Sequence, residues 1–135
     1  MLRELGVRTV IQMQPTRGYS ADVLRRFLDE ADAHGMRVIV RLSQTTVDPQ
    51  WGWNGQRFDF TRLNEFLALP GVSDHPALLA IYGFHIPWLD FTPDQVRRFY
   101  REYHAIAGDI PLFHDLVWVN ETPGSVVTDG MCDLC

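Results

Sequence analysis

Apolar positions along this chain recur with two alternating periods. Val7 to Met13 is a β-branched run, Val-Arg-Thr-Val-Ile-Gln-Met, and predicts a strand. Ser20 then caps a helix whose apolar positions, Val23, Leu24, Phe27, Leu28 and Ala31, follow a period near 3.6. Gly35 after His34 predicts a left-handed C-terminal cap. Arg37 to Leu42 is the second strand, followed by a long loop from Ser43 to Asp59 that carries Trp51, Trp53 and Phe58. Thr61 opens a helix through Leu63, Phe66, Leu67 and Leu69, which Pro70-Gly71 breaks. Leu78 to Phe84 is the third strand. Thr92-Pro93-Asp94-Gln95 has the spacing of a capping box with proline at the first helical position. The helix it opens is expected to bury Val96, Phe99, Tyr100, Tyr103 and Ile106. Ile110 to Phe113 predicts a fourth strand, and a fifth is expected around Met131 to Leu134.

Strands and helices therefore alternate, with strands apolar on both faces, as covered parallel strands must be. This argues for the α/β class. The repeat of about thirty residues is that of a βα unit in a barrel. The first strand ends in Gln12-Met13-Gln14-Pro15-Thr16-Arg17-Gly18, with no glycine-rich phosphate turn, which weakens a nucleotide-binding open sheet. A complete barrel needs roughly 250 residues. The 135 residues here, 46% hydrophobic, hold one core and about half a barrel. The expectation is a single partial (β/α)8 (TIM) barrel domain over residues 1–135, a fragment of a longer barrel, with about five parallel strands and three covering helices. Such a segment leaves sheet edges exposed, so the remainder of the barrel or a second copy is expected to cover them.

Charge narrows the partners. A net charge of −5 with scattered basic residues argues against nucleic acid. No apolar run is long enough to span a bilayer, and Met1 to Gly6 lacks a signal peptide's apolar core. The reading is of no membrane partner, and of a cytoplasmic protein if the chain is complete. Cys132 and Cys135 have C-x-x-C spacing but lack the second pair of a zinc site, and are read as buried strand cysteines.

In parallel α/β folds chemistry sits beyond the carboxyl ends of the strands. Those ends carry Gln12 and Gln14, then Arg41, then Tyr82 and His85, then His114 and Asp115, then Asp133. Trp51, Trp53 and Trp88 follow strand ends and either stack on a ligand or fill a loop core. Amide, guanidinium and aromatic groups together suit a sugar. His85 and His114 end consecutive strands, about 5 Å apart if paired as neighbours. With Asp115 they offer a general base, or a divalent-metal site as an alternative. A hydrogen bond from a strand-end histidine to a loop carbonyl is the structural alternative to both.

The segments "DAHGMRVIVRL", "DHPALLAIYGFHIPW", "IPLFHDL" and "DGMCDLC", in this order, resemble the middle of a glycoside-hydrolase-type (β/α)8 barrel, from about the second strand to the sixth. The resemblance covers nearly the whole chain, and its motifs are largely structural. It implies a carbohydrate-active protein with a glycan bound at the strand ends, no cofactor, and an acid/base glutamate after the fourth strand. Aligned on Pro87, that position is Ile86, and His85 precedes it. The second carboxylate of a hydrolytic pair would follow a seventh strand beyond Cys135. The expected catalytic residues are therefore His85, His114 and Asp115. Gln14, Arg41, Trp51, Trp53, Tyr82, Trp88 and Asp133 are expected to bind substrate. A non-catalytic carbohydrate-binding barrel, and a metal-dependent hydrolase or isomerase using His85, His114 and Asp115, are the alternatives.

Overall fold

The computed structural model describes residues 6–12, 21–42, 51–85, 91–115 and 133–134. Four strands, β1 (Thr9–Gln12), β2 (Arg37–Val40), β3 (Leu78–His85) and β4 (Leu112–Asp115), alternate with helices α1 (Ala21–Ala33), α2 (Thr61–Leu67) and α3 (Pro93–Ala107). All three strand pairings are parallel, and the spatial order is the chain order, β1-β2-β3-β4. Where a fifth strand was expected, Leu134 bridges Phe113 in parallel as an isolated pair outside the four strands. Cys132 and Cys135 lie outside the described residues.

Local sequence accounts for the helix ends. Thr92 accepts from the Gln95 N–H and the Gln95 side chain accepts from the Thr92 N–H, completing the capping box. At the end of α1, Gly35 takes φ 64°. Its N–H donates to Asp32 and that of Met36 to Ala31, the paired bonds of a Schellman motif. The fourth strand begins two residues later than its β-rich composition suggests. Ile110 still bonds back to the helix end through the Ala107 carbonyl, and Pro111 has no N–H to give the ladder.

The helices gather on one face of the sheet. Leu24, Leu28 and Ala31 of α1, Leu63 and Phe66 of α2, and Phe99, Tyr103 and Ala107 of α3 pack with Val38, Val40, Ile81 and Leu112. Phe27 and Ile106, expected inside, are exposed. Each stands at the margin of its helix's apolar stripe, turned past the sheet. The opposite face carries a smaller cluster, Ile39, Ala80 and Tyr82, with Leu79, Phe113 and Leu134 against it. No helix among the described residues is long and apolar enough to cross a membrane.

Strand β3 carries two irregularities that aim its side chains. Val38 pairs with Leu78 but Ile39 with Ala80, so Leu79 is an extra residue relative to β2. Tyr82 pairs with Phe113 but His85 with Asp115, so Gly83 and Phe84 together face His114 alone. Bulges of this kind re-aim side chains near the end of a strand. Here the second one turns Phe84 onto the helix side, where its ring meets Phe99 at 4.5 Å.

Candidate functional site

The second bulge of β3 also decides the role of His114. Its neighbours Leu112 and Phe113 lie on the helix face and the far face respectively, and alternation returns His114 to the helix face. There it is 1% exposed. Its ring stacks on Phe84 at 5.2 Å and lies 6.2 Å from Phe99. Its Nδ1 accepts the Phe84 N–H at 2.9 Å, a donor that the bulge withdraws from the regular ladder. Gly83 makes this possible, because a Cβ there would fall 2.2 Å from the His114 ring. The expected catalytic role for His114 is therefore corrected: the ring fills the helix–sheet core and satisfies the backbone. This also removes it from the His85, His114, Asp115 metal set. Among the described residues no three His, Cys, Asp or Glu side chains come together to hold a metal.

Trp51 is corrected in the same way. It is 1% exposed, donates its indole N–H to the Gly83 carbonyl at 3.0 Å and packs edge-on against Phe99 at 4.9 Å. It fills the core, with no face left for a sugar. Trp53 is half-buried against Phe58 at 4.6 Å and Phe91 at 6.3 Å, an aromatic cluster with Phe99 at its centre.

Asp133 sits beside α3 and against Leu112 at the start of β4, away from the carboxyl strand ends where it was expected. Its Oδ2 accepts from the Leu112 N–H at 2.7 Å and lies 2.9 Å from His104 Nε2, while Oδ1 accepts from the Tyr100 hydroxyl at 2.7 Å. Burial opposes its charge, but the Leu112 N–H, the Tyr100 hydroxyl and His104 together hold its carboxyl below the usual carboxylate range. The same contact pushes the Tyr100 hydroxyl up. The carboxylate joins α3 to β4. Sequence reasoning missed this link; its one signal is the i, i+4 spacing of Tyr100 and His104 on a helix face.

The remaining candidates lie near the carboxyl ends of β2, β3 and β4. Arg41, just past β2, places its guanidinium carbon 5.6 Å from the centre of the Tyr82 ring. Tyr82 is buried and packs on Phe113 at 5.7 Å. His85 and Asp115 end β3 and β4 as register partners, on neighbouring strands spaced about 4.8 Å apart. The register thus couples His85 to Asp115 rather than to His114. Gln14 and Trp88 lie outside the described residues.

A separate hollow of about 450 Å³ is lined by Gly52, Asn54, Arg57, Asp59 and Asn64 among others, with no strand residue. Its polar atoms serve the loop itself. Asn54 accepts the N–H groups of Gln56 and Arg57, and Asp59 that of Thr61. The Thr61 hydroxyl and N–H hold the Asp59 carboxyl below its ordinary range.

Comparison with protein-family models, with curated proteins and with solved structures finds no match to this chain.

Proposed function

We propose that this chain is part of a (β/α)8 barrel that binds carbohydrate at the carboxyl ends of its strands and acts on it as a glycosidase-like hydrolase. The observation that carries the reading is the sheet itself. Its parallel strands follow chain order, with the described helices on one face. In a closed barrel of this order the far face would be the interior. Arg41 and the strand ends at His85 and Asp115 would then lie at the carboxyl end of the barrel, where a ligand binds. Further strands, from more chain or a second copy, would complete the wall.

In this reading the Arg41 guanidinium donates to ligand oxygens. Asp115 orients His85, and the second ring nitrogen of His85 exchanges the proton of the reacting water or leaving group. Ile86 stands where the resemblance expects a proton-donating glutamate, an observation that favours a second reading, carbohydrate binding without turnover. Both are tested by titrating the chain with oligosaccharides of varied linkage and assaying release of reducing ends. Binding with hydrolysis that His85→Ala abolishes supports the enzyme. Binding without hydrolysis supports the second reading. Absence of binding across the panel overturns both.

A further inference from the structure

Ahead of α2 the chain makes a tight turn at Asn54-Gly55-Gln56-Arg57, and all four residues are exposed. The Asn54 N–H donates to the Arg57 carbonyl at 3.3 Å, and outside that pair the Asp59 N–H donates to the Trp51 carbonyl at 2.7 Å. The Asn54 side chain closes the turn: its Oδ1 accepts from the Gln56 N–H and the Arg57 N–H, each at 3.0 Å. Gly55 takes φ 92°, a conformation that suits glycine. Among the described residues the Gly55 N–H donates to no acceptor, and it is open to water. The turn therefore holds an electrophile, the Asn54 amide carbon, and a nucleophile, the Gly55 nitrogen, one ring closure apart. Glycine puts no side chain beside the attacking nitrogen. The two N–H groups on Oδ1 address the atom that becomes negative on attack, as donors that stabilise an oxyanion do. Asn64 offers a contrast, because it lies inside α2 and precedes Glu65, whose side chain crowds the corresponding nitrogen.

We propose that Asn54 is a self-modification site, at which the Gly55 nitrogen attacks the Asn54 side-chain amide in the folded chain and converts it through a cyclic imide to aspartate and isoaspartate. The Gly55 N–H gives its proton to hydroxide, and the nitrogen forms a bond to Cγ, leaving the negative charge on Oδ1. Collapse of this intermediate breaks the Cγ–Nδ2 bond, and Nδ2 takes a proton from water and leaves as ammonia. Water then adds to one of the two imide carbonyls and breaks its bond to the Gly55 nitrogen. Opening at Cγ gives aspartate. Opening at the Asn54 main-chain carbonyl gives isoaspartate, with the chain running through the former side chain. The only co-reactant is water. Either product adds a negative charge beside Arg57 and Asp59, which line the same hollow as Asn54. Isoaspartate also lengthens the main chain between Trp51 and Phe58, both of which are anchored in the core. The chemistry is independent of what the chain binds.

The test is to age the full, folded chain at neutral and at mildly alkaline pH and then to digest it briefly at mildly acidic pH. Trypsin, cutting after Arg57 and Arg62, places Asn54 and Asn64 on separate peptides, which chromatography and mass spectrometry resolve. Asn54 should convert about tenfold faster than Asn64, or more, because oriented donors lower the barrier to attack. Conversion should quicken at alkaline pH, where the Gly55 N–H loses its proton more readily. Isoaspartate should be among the products, detected with an isoaspartate-specific methyltransferase, whereas direct hydrolysis of the amide gives aspartate alone. Gly55→Ala should slow the reaction several-fold. Equal rates at Asn54 and Asn64, aspartate without isoaspartate, a rate unchanged by Gly55→Ala, or conversion that begins only when the chain is unfolded in urea overturns the inference. Should Gly55→Ala fail to fold, the comparison of Asn54 with Asn64 and the identity of the products on the unchanged chain decide.

Discussion

Gly83→Ala tests the construction of the β3–β4 strand ends most directly. The added methyl would lie 2.2 Å from both Cε1 and Nδ1 of His114 and 3.1 Å from the Phe113 carbonyl oxygen. The His114 ring is 1% exposed and packs against Phe84 and Phe99, so it cannot swing aside without disturbing the core. Overpacking of this kind costs about 1–3 kcal/mol. Displacing His114 also breaks its bond from the Phe84 N–H, and a buried donor left without a partner costs about 1–3 kcal/mol more. The expected loss is therefore about 2–6 kcal/mol, a large share of the stability of a typical domain. Urea unfolding followed by circular dichroism, with slopes compared between variants, measures it. A double-mutant cycle makes the reasoning specific. His114→Ala should itself destabilise, yet in the Gly83→Ala background it should cost at least about 1 kcal/mol less, because the clash is gone. A Gly83→Ala cost below about 1 kcal/mol, or strict additivity with His114→Ala, refutes the packing described for this strand end.

Other substitutions probe separate parts of the molecule. Asp133→Asn should destabilise by about 1–3 kcal/mol at neutral pH, since the carboxylate answers Leu112, Tyr100 and His104 together. Because folding holds the Asp133 carboxyl below its ordinary value, its contribution is complete above about pH 5 and is lost as pH falls through the lower folded value. Asp133→Asn should therefore flatten the acid limb of a stability–pH curve, and an unchanged limb would contradict the network. Trp51→Phe keeps most of the ring packing but leaves the Gly83 carbonyl without its indole donor. It should cost about 1–3 kcal/mol in thermal or urea melts, whereas enhanced sugar binding or unchanged stability would argue against a core role. Thr92→Ala removes one half of the capping box and should cost about 1 kcal/mol, largely restored by Thr92→Asn. Equal stabilities for Thr92→Ala and the unchanged chain would show that α3 is held by packing alone.

The sequence by itself determined the order and type of the elements, because those follow from neighbours along the chain. The period near 3.6 that marked Leu24, Leu28 and Ala31, the Thr92–Gln95 capping box and the glycine at position 35 are local instructions, and each is executed as written. The periods were less able to fix the margins of the buried stripes, so Phe27 and Ile106 emerge exposed. The candidate site was legible only as a set of strand-end residues. Which of them face together depended on register, and register was set by two extra residues in β3 that no periodicity announces. One of those bulges paired His85 with Asp115 and left His114 to accept a backbone N–H in the core. Long-range packing likewise drew Trp51 onto Phe99 and bound Asp133 to α3. A strand's alternation can be read from sequence. The single-residue slips that reverse it, and the distant partners that satisfy each polar group, exist only once the sheet has formed.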